Sequence, residues 1–160
     1  MKKHIAILRG INVGGHRKIL MKDLKKLCIS LGLNDPITYI QSGNIVFESE
    51  KSEHDLEITL CSGIKATFGF DVPVIVRSIE DWEKVIEKYP YFSDDVELKS
   101  LYITFLSNIP SKEAIEGLKG IDIGHDKFIV INKEVHLYAN PPYHKSKLSN
   151  NFFEKQLKVS

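Results

Sequence analysis

Apolar and polar positions along this chain follow two rhythms, one of period two and one of period 3.6, in an order that recurs. His4 to Leu8 is apolar on both faces, with Ile5 and Ile7 opposite Ala6 and Leu8, the pattern of a strand inside a sheet. The loop that follows, GINVGGHRK, has three glycines in six positions. Leu20, Leu24, Leu27, Cys28 and Leu31 then mark one stripe of a helix, with Gly32 as its C-cap and Pro36 beyond. Residues 37–41 and 44–48 read as two strands around a Ser42-Gly43-Asn44 turn. Leu56, Leu60, Ile64 and Phe68 recur every fourth residue, predicting a helix over 53–68, and VPVIV at 72–76 predicts a fourth strand.

Strand, helix, strand, strand, helix, strand is the order of a ferredoxin-like unit, here within residues 1–78. Ser78 and Asp81 then suit the start of a short acidic helix carrying Trp82, Val85, Ile86 and Tyr89, ended by Pro90. Residues 79–98 are therefore expected to be an acidic helix and linker. Over 99–160 the order returns: a strand at 100–106, a helix capped by Ser111, strands at 127–131 and 135–139, and a helix from Ser146. The kinked NPPYHK leads into that last helix, with Ser146 as its expected N-cap. The expectation is an α+β fold of two ferredoxin-like halves packed together, the second lacking its final strand.

Composition adds little globally and more locally. The 160 residues are 42% hydrophobic and 27% charged, ordinary for a globular protein, and exclude disordered and coiled-coil classes. Net charge is +1, but residues 1–30 hold eight cations against Asp23 alone, a local +7. Residues 80–97 carry seven acids against two lysines, a local −5. Cys28 and Cys61 have no metal-ligand or CxxC spacing and are expected as buried free thiols, which suits a reducing cytosol. The basic, then apolar, start resembles a signal peptide, but Arg9 interrupts it after four apolar residues. No apolar run reaches 18 residues, so no membrane span is expected.

In a ferredoxin-like sheet the loop after the first strand and the Ser42-Gly43-Asn44 turn meet at one edge, beside the first helix's N-terminus. Unpaired N–H groups and the positive end of the helix dipole, next to glycines and cations, suit a phosphate or carboxylate. The ligand-binding residues expected there are Arg9, Asn12, Gly14, Gly15, His16, Lys18, Gln41, Ser42 and Asn44, with Arg17 adding charge. Gly10 and Gly15 have P-loop spacing, but His16-Arg17 stands where Lys-Ser/Thr is required, and no GxGxxG is present. No metal site and no cofactor are expected. Nothing names a reaction; His16 is the one proton carrier in the loop should chemistry occur.

RGINVGG (9–15), MKDLKKL…LGL (21–33), TYIQSGNIVF (38–47) and SKLSN (146–150) together resemble the bacterial domain-of-unknown-function family 1697. The resemblance implies a bacterial cytoplasmic α+β protein with ferredoxin-like halves and no established activity. Two departures stand out: NPPYHK where the family has a glycine-containing turn, and no Thr-x-Arg-Asn stretch after the last helix. The closing strand of the second half is then expected to be missing, supplied by a partner, or lost to truncation. The leading expectation is a protein that holds a phosphate-bearing small molecule at the RGINVGG/QSGN edge. The first alternative is a nucleic-acid-binding module using the basic pole. The second is a protein-interaction domain, or homodimer, pairing through its open second half.

Overall fold

The computed structural model describes residues 1–139 and 146–159. Among the described residues, thirteen segments of regular structure run in the order β1 (Lys2–Leu8), α1 (Met21–Ser30), β2 (Asn34–Tyr39), β3 (Asn44–Ser49), α2 (Glu53–Phe68), β4 (Val74–Ser78), α3 (Ile79–Glu87), a 3-10 turn (Leu98–Ser100), β5 (Leu101–Phe105), α4 (Lys112–Glu116), β6 (Lys127–Ile131), β7 (Glu134–Tyr138) and α5 (Asn150–Leu157). Mixed helices and antiparallel strands make it an α+β fold. The chain divides into two units, Met1–Lys84 and Val85–Ser160. Among the described residues no helix is long and apolar enough to cross a membrane.

In the first unit the strands lie in the order β2-β3-β1-β4, every neighbour antiparallel. Ala6, Leu8, Ile45, Phe47, Val74 and Val76 point to one face, where Leu24, Leu27, Cys28, Leu56, Leu60 and Ile64 of α1 and α2 cover them. Each such aliphatic or aromatic side chain stabilises the fold by about 1.5–3 kcal/mol when removed from water. The N-cap of α1 is Leu20, which is exposed rather than part of the buried stripe, because the helix starts one residue later than the periodicity suggests. Its far end closes as expected: Gly32 at φ +77° turns the chain, and Leu33 N–H reaches back to the Cys28 carbonyl at 3.1 Å. Burial pushes the Cys28 thiol up to about 11. Cys61 is only half-buried, a correction to the expectation of two buried thiols, and its Sγ lies 3.4 Å from the Val72 carbonyl.

Sheet edges expose unpaired backbone groups, and this unit covers one of them with acids. The outward N–H groups of Val76 and Ser78 on β4 donate to Glu57 Oε1 at 3.0 Å and Glu53 Oε1 at 2.7 Å, both from α2. The buried Arg77 guanidinium lies 3.5 Å and 3.8 Å from the same two carboxylates and offsets their charge. On the opposite edge, β2 contains Pro36 and an irregular register between Asn34 and Ile37, which shortens the pairing surface.

In the second unit the order is β5-β7-β6, again antiparallel. Leu106, Leu118, Val135, Leu137, Leu148, Phe153 and Leu157 form its core, with Ala114 and Ile115 of α4 packed against them. The last helix starts at Asn150, with Ser149 as N-cap accepting from Phe152 N–H at 3.2 Å. Ser146 is therefore not the cap: its hydroxyl donates to Asp126 and accepts from Leu148 N–H at 3.0 Å. The kinked stretch at 140–145 lies outside the described residues.

The other face of this sheet holds a buried imidazole. His136 is 2% exposed, its Nδ1 has no hydrogen-bond partner, and the Tyr89 ring stands edge-on to it at 5.0 Å. The Tyr89 hydroxyl accepts from Tyr102 N–H at 3.0 Å, and its one proton is shared between the Tyr102 and Leu137 carbonyls. Desolvation holds the imidazole below its ordinary value of 6.5. The folded chain thus binds a proton at His136 less readily than the unfolded chain. Stability from this residue is complete above pH 6.5 and falls as the pH drops below it. Urea denaturation of the wild type and His136→Leu at pH 7.5 and 5.5 checks this: the wild type should lose more stability between the two pH values. Equal losses would refute it.

Candidate functional site

Strand direction decides which loops meet. β1 and β2 run one way and β3 and β4 the other, so the loop after β1, the β2–β3 turn and the α2–β4 turn share one end of the sheet. Arg9 N–H still donates to the Pro73 carbonyl at 2.9 Å, after which Gly10 turns the chain at φ +71°. Residues 12–17 fold into a miniature hairpin. Its tip is Gly14 and Gly15, at φ +59° and +79°, a sign pattern that fits a type I′ turn and suits glycine. His16 N–H closes it on the Val13 carbonyl at 3.0 Å, and Asn12 N–H donates to the Arg17 carbonyl at 3.2 Å.

Asn12 fastens this hairpin to its surroundings. Its Oδ1 accepts from Ile19 N–H, and its Nδ2 donates to the Ile19 and Gln41 carbonyls, all at 2.9 Å. Both amide hydrogens are thereby used by the backbone, so Asn12 joins the two glycine-bearing bends and has no donor left for a ligand. Gly43 completes the junction, because a Cβ there would overlap Ile11 Cδ1 and stand 3.1 Å from Leu8 Cβ. Ser42 and Asn44 sit together, Asn44 Nδ2 lying 3.3 Å from Ser42 Oγ.

The expected residues fall into two groups around this edge. Gly14, Gly15, His16, Arg17 and Lys18 are exposed on the hairpin, which leads into the N-terminus of α1. No side chain caps that helix. A Cβ at Gly10 would lie 3.4 Å from Arg17 Nη1, so the Arg17 guanidinium folds back over Gly10. Among the described residues neither Arg17 nor Lys18 carries an ion pair. Arg9 belongs to the second group. It continues the alternation of Lys3, Ile5 and Ile7, the side of the sheet turned away from α1 and α2, where Asn44 and Tyr39 also lie by register.

Two features were not foreseen from the sequence. Ile40, next to Gln41, sits at φ +50°, a left-handed backbone that a β-branched residue rarely adopts. Tyr39 is 65% exposed at the same edge. Nothing in the local pattern signals either one, since both depend on how β2 ends against β3.

Other candidates resolve differently. Phe47 is buried against the helices, stacked on His4 at 5.8 Å, and offers no surface to a base. Lys147 and Ser146 of the SKLSN segment already engage Asp122 and Asp126, which leaves that segment unsuited to an anion. Among the described residues no three His, Cys, Asp or Glu side chains gather in a way that could hold a metal ion.

Helices on one face of a four-stranded antiparallel sheet, followed by a smaller three-stranded unit, define a two-unit α+β protein. The chain belongs to the family described as Protein of unknown function (DUF1697), which matches residues 1–136. The SKLSN resemblance lies beyond the matched stretch. The chain is also similar to a solved structure described as that of the conserved bacterial protein SP0830 from Streptococcus pneumoniae. There the identity is 23%, the TM-score is 0.73, and the match covers 96% of this chain and 81% of the other. At that identity the likeness is one of fold. Comparison with curated proteins finds no match.

Proposed function

We propose that the chain binds a phosphate-bearing small molecule at the edge where RGINVGG meets QSGN. The observation that carries this reading is the exposed Gly14-Gly15 tip flanked in the hairpin by Arg17 and Lys18, beside a helix start that no side chain caps. Exposed cations such as Arg17 and Lys18 and open N–H groups are what a phosphate requires. Gly14 and Gly15 offer backbone N–H groups, Lys18 and Arg17 neutralise charge, and His16, Ser42, Asn44 and Gln41 orient the ligand. Asn12 holds the site together rather than touching the ligand. The scaffold is read as two ferredoxin-like units, the second without its closing strand; support for this is the recurrence of one strand order, β2-β3-β1-β4 and then β5-β7-β6.

Calorimetric titration with ribose 5-phosphate tests the site. Arg17→Ala and Lys18→Ala are each expected to weaken binding about tenfold, the loss of about 1.4 kcal/mol from one charge-assisted contact. Lys25→Ala, on the exposed side of α1, should leave it unchanged. Equal effects from all three variants would reduce the site to a diffuse charge. The nucleic-acid alternative loses support from the burial of Phe47, because the central strands β1 and β3 then present no aromatic ring on the open face.

A further inference from the structure

Among the described residues the two sheets leave four edges, and three of them are protected. On β4 the outward N–H groups are taken by Glu53 and Glu57. β2 carries Pro36 and an irregular register. β6 opens with the exposed Lys127, a charge that a strand added beside it would have to desolvate. β5 (LYITF) has no charge, no proline and no register shift against β7. In the first unit β4 lies beside β1; among the described residues no strand takes the corresponding place beside β5.

Hydrogen-bond parity shows what β5 presents on that side. Ala139 N–H donates to the Ser100 carbonyl at 2.9 Å and Leu106 N–H to the Lys133 carbonyl at 2.8 Å. The even-numbered residues therefore bond across to β7, and the odd-numbered ones turn their backbone groups away from it. Leu101 N–H is used by the Leu98 carbonyl. Among the described residues the N–H and C=O of Ile103 have no partner. Tyr89 does not cover them, because its hydroxyl meets Tyr102 on the side of the Leu137 carbonyl of β7.

We propose that β5 pairs with β5 of a second copy of this chain, antiparallel about a two-fold axis at Ile103, joining two three-stranded sheets into one. A two-fold contact between identical edges is necessarily antiparallel, the sense in which β4 adds to β1. Ile103 then faces the partner's Ile103, and the two exchange both of their outward hydrogen bonds. Leu101 meets the partner's Phe105, and Tyr102 the partner's Thr104, so aliphatic meets aromatic and no charge meets its like. Lys99 falls opposite the partner's Ser107 and has its own counter-ion in Glu97 at 3.0 Å. That self-complementarity is what selects a second copy over an unrelated strand. On β6 the same operation would set Lys127 against the aliphatic Ile131 of the partner subunit. The pairing is independent of the phosphate reading, which concerns the other unit.

Sedimentation velocity of the full chain tests this. Short strands make a small contact, so a weak dimer is expected, populated at about 100 μM and mostly dissociated at about 1 μM. Ile103→Pro should be monomeric at both concentrations with an unchanged circular-dichroism spectrum, since proline is tolerated on an edge strand where its nitrogen faces outward. Ile103→Cys gives a readout that does not depend on loss. Residues facing each other in a hydrogen-bonded pair have Cα atoms about 5.5 Å apart, within reach of a disulfide. Mild oxidation should therefore link two chains of this variant through the new thiol, and should leave the wild type unlinked, with Cys28 buried and Cys61 half-buried. A monomer at about 100 μM overturns the inference. So does a dimer that survives in folded Ile103→Pro, or a dimeric Ile103→Cys that does not cross-link, since either places the interface elsewhere. If Ile103→Pro unfolds, the cross-link alone decides.

Discussion

Gly43→Ala is expected to destabilise the first unit by about 2–4 kcal/mol. Two costs combine. Gly43 has φ +84°, a conformation that costs an L-residue about 1–2 kcal/mol. A Cβ there also overlaps Ile11, which is 1% exposed and has nowhere to move, and overpacking of this kind adds about 1–3 kcal/mol. Gly32 provides the control. It has φ +77° but nothing within 4 Å of the added carbon, so Gly32→Ala should show the backbone cost alone. Urea denaturation of the two variants decides the matter, and equal losses would mean that Gly43 is kept for its turn and not for close approach. Because Gly43 lets QSGN sit directly on Ile11, the same variant should weaken any ligand bound across the two bends.

Asn12→Ala is the second large effect, again about 2–4 kcal/mol. Three hydrogen bonds disappear, each contributing about 1 kcal/mol, and the Ile19 N–H loses its side-chain acceptor. Alanine is also poorer than asparagine at φ +56°. Asn12→Gly separates the contributions: it removes the same hydrogen bonds but fits the left-handed backbone, and should lose about 1 kcal/mol less than alanine. A total loss below about 1 kcal/mol in Asn12→Ala would show that the hairpin holds its position without this amide. In the proposed site Asn12 is a positioning residue. Its removal should weaken ribose 5-phosphate binding in proportion to the loosened loop, and Asn12→Gly should weaken it as well.

Much of the first unit was legible because its signals are local. Ser52 and Gly69 bracket α2 where the sequence put it, since a serine N-cap and a left-handed glycine are decided by neighbouring atoms. The Ser42-Gly43-Asn44 turn and the β6 boundaries were legible for the same reason. The start of the last helix was not. Ser146 and Ser149 are equally good caps by residue type, and only the presence of Asp126 beside Ser146 assigns the capping role to Ser149. Leu20 failed similarly: periodicity assigns it to the buried stripe, but the loop enters α1 at Met21 and leaves Leu20 in solvent.

The candidate site was half legible. Glycine spacing and the concentration of cations in residues 1–30 marked the loop, and strand order was enough to expect QSGN beside it. Asn12 was singled out as a ligand donor because a loop asparagine has free hydrogens until a fold uses them. Here the fold uses both, on carbonyls 7 and 29 residues away. By itself, then, the sequence determined the order of elements, the caps set by adjacent residues and the positive charge of the first helix and its loop, since all of these depend on neighbours along the chain. Only the tertiary structure decided that Asn12 is a clasp, that Phe47 is core, and that Arg9 shares the open sheet face with Tyr39. The first is fixed by two loops meeting at one end of the sheet, and the other two by strand register, which follows from which face buries its carbon against the helices.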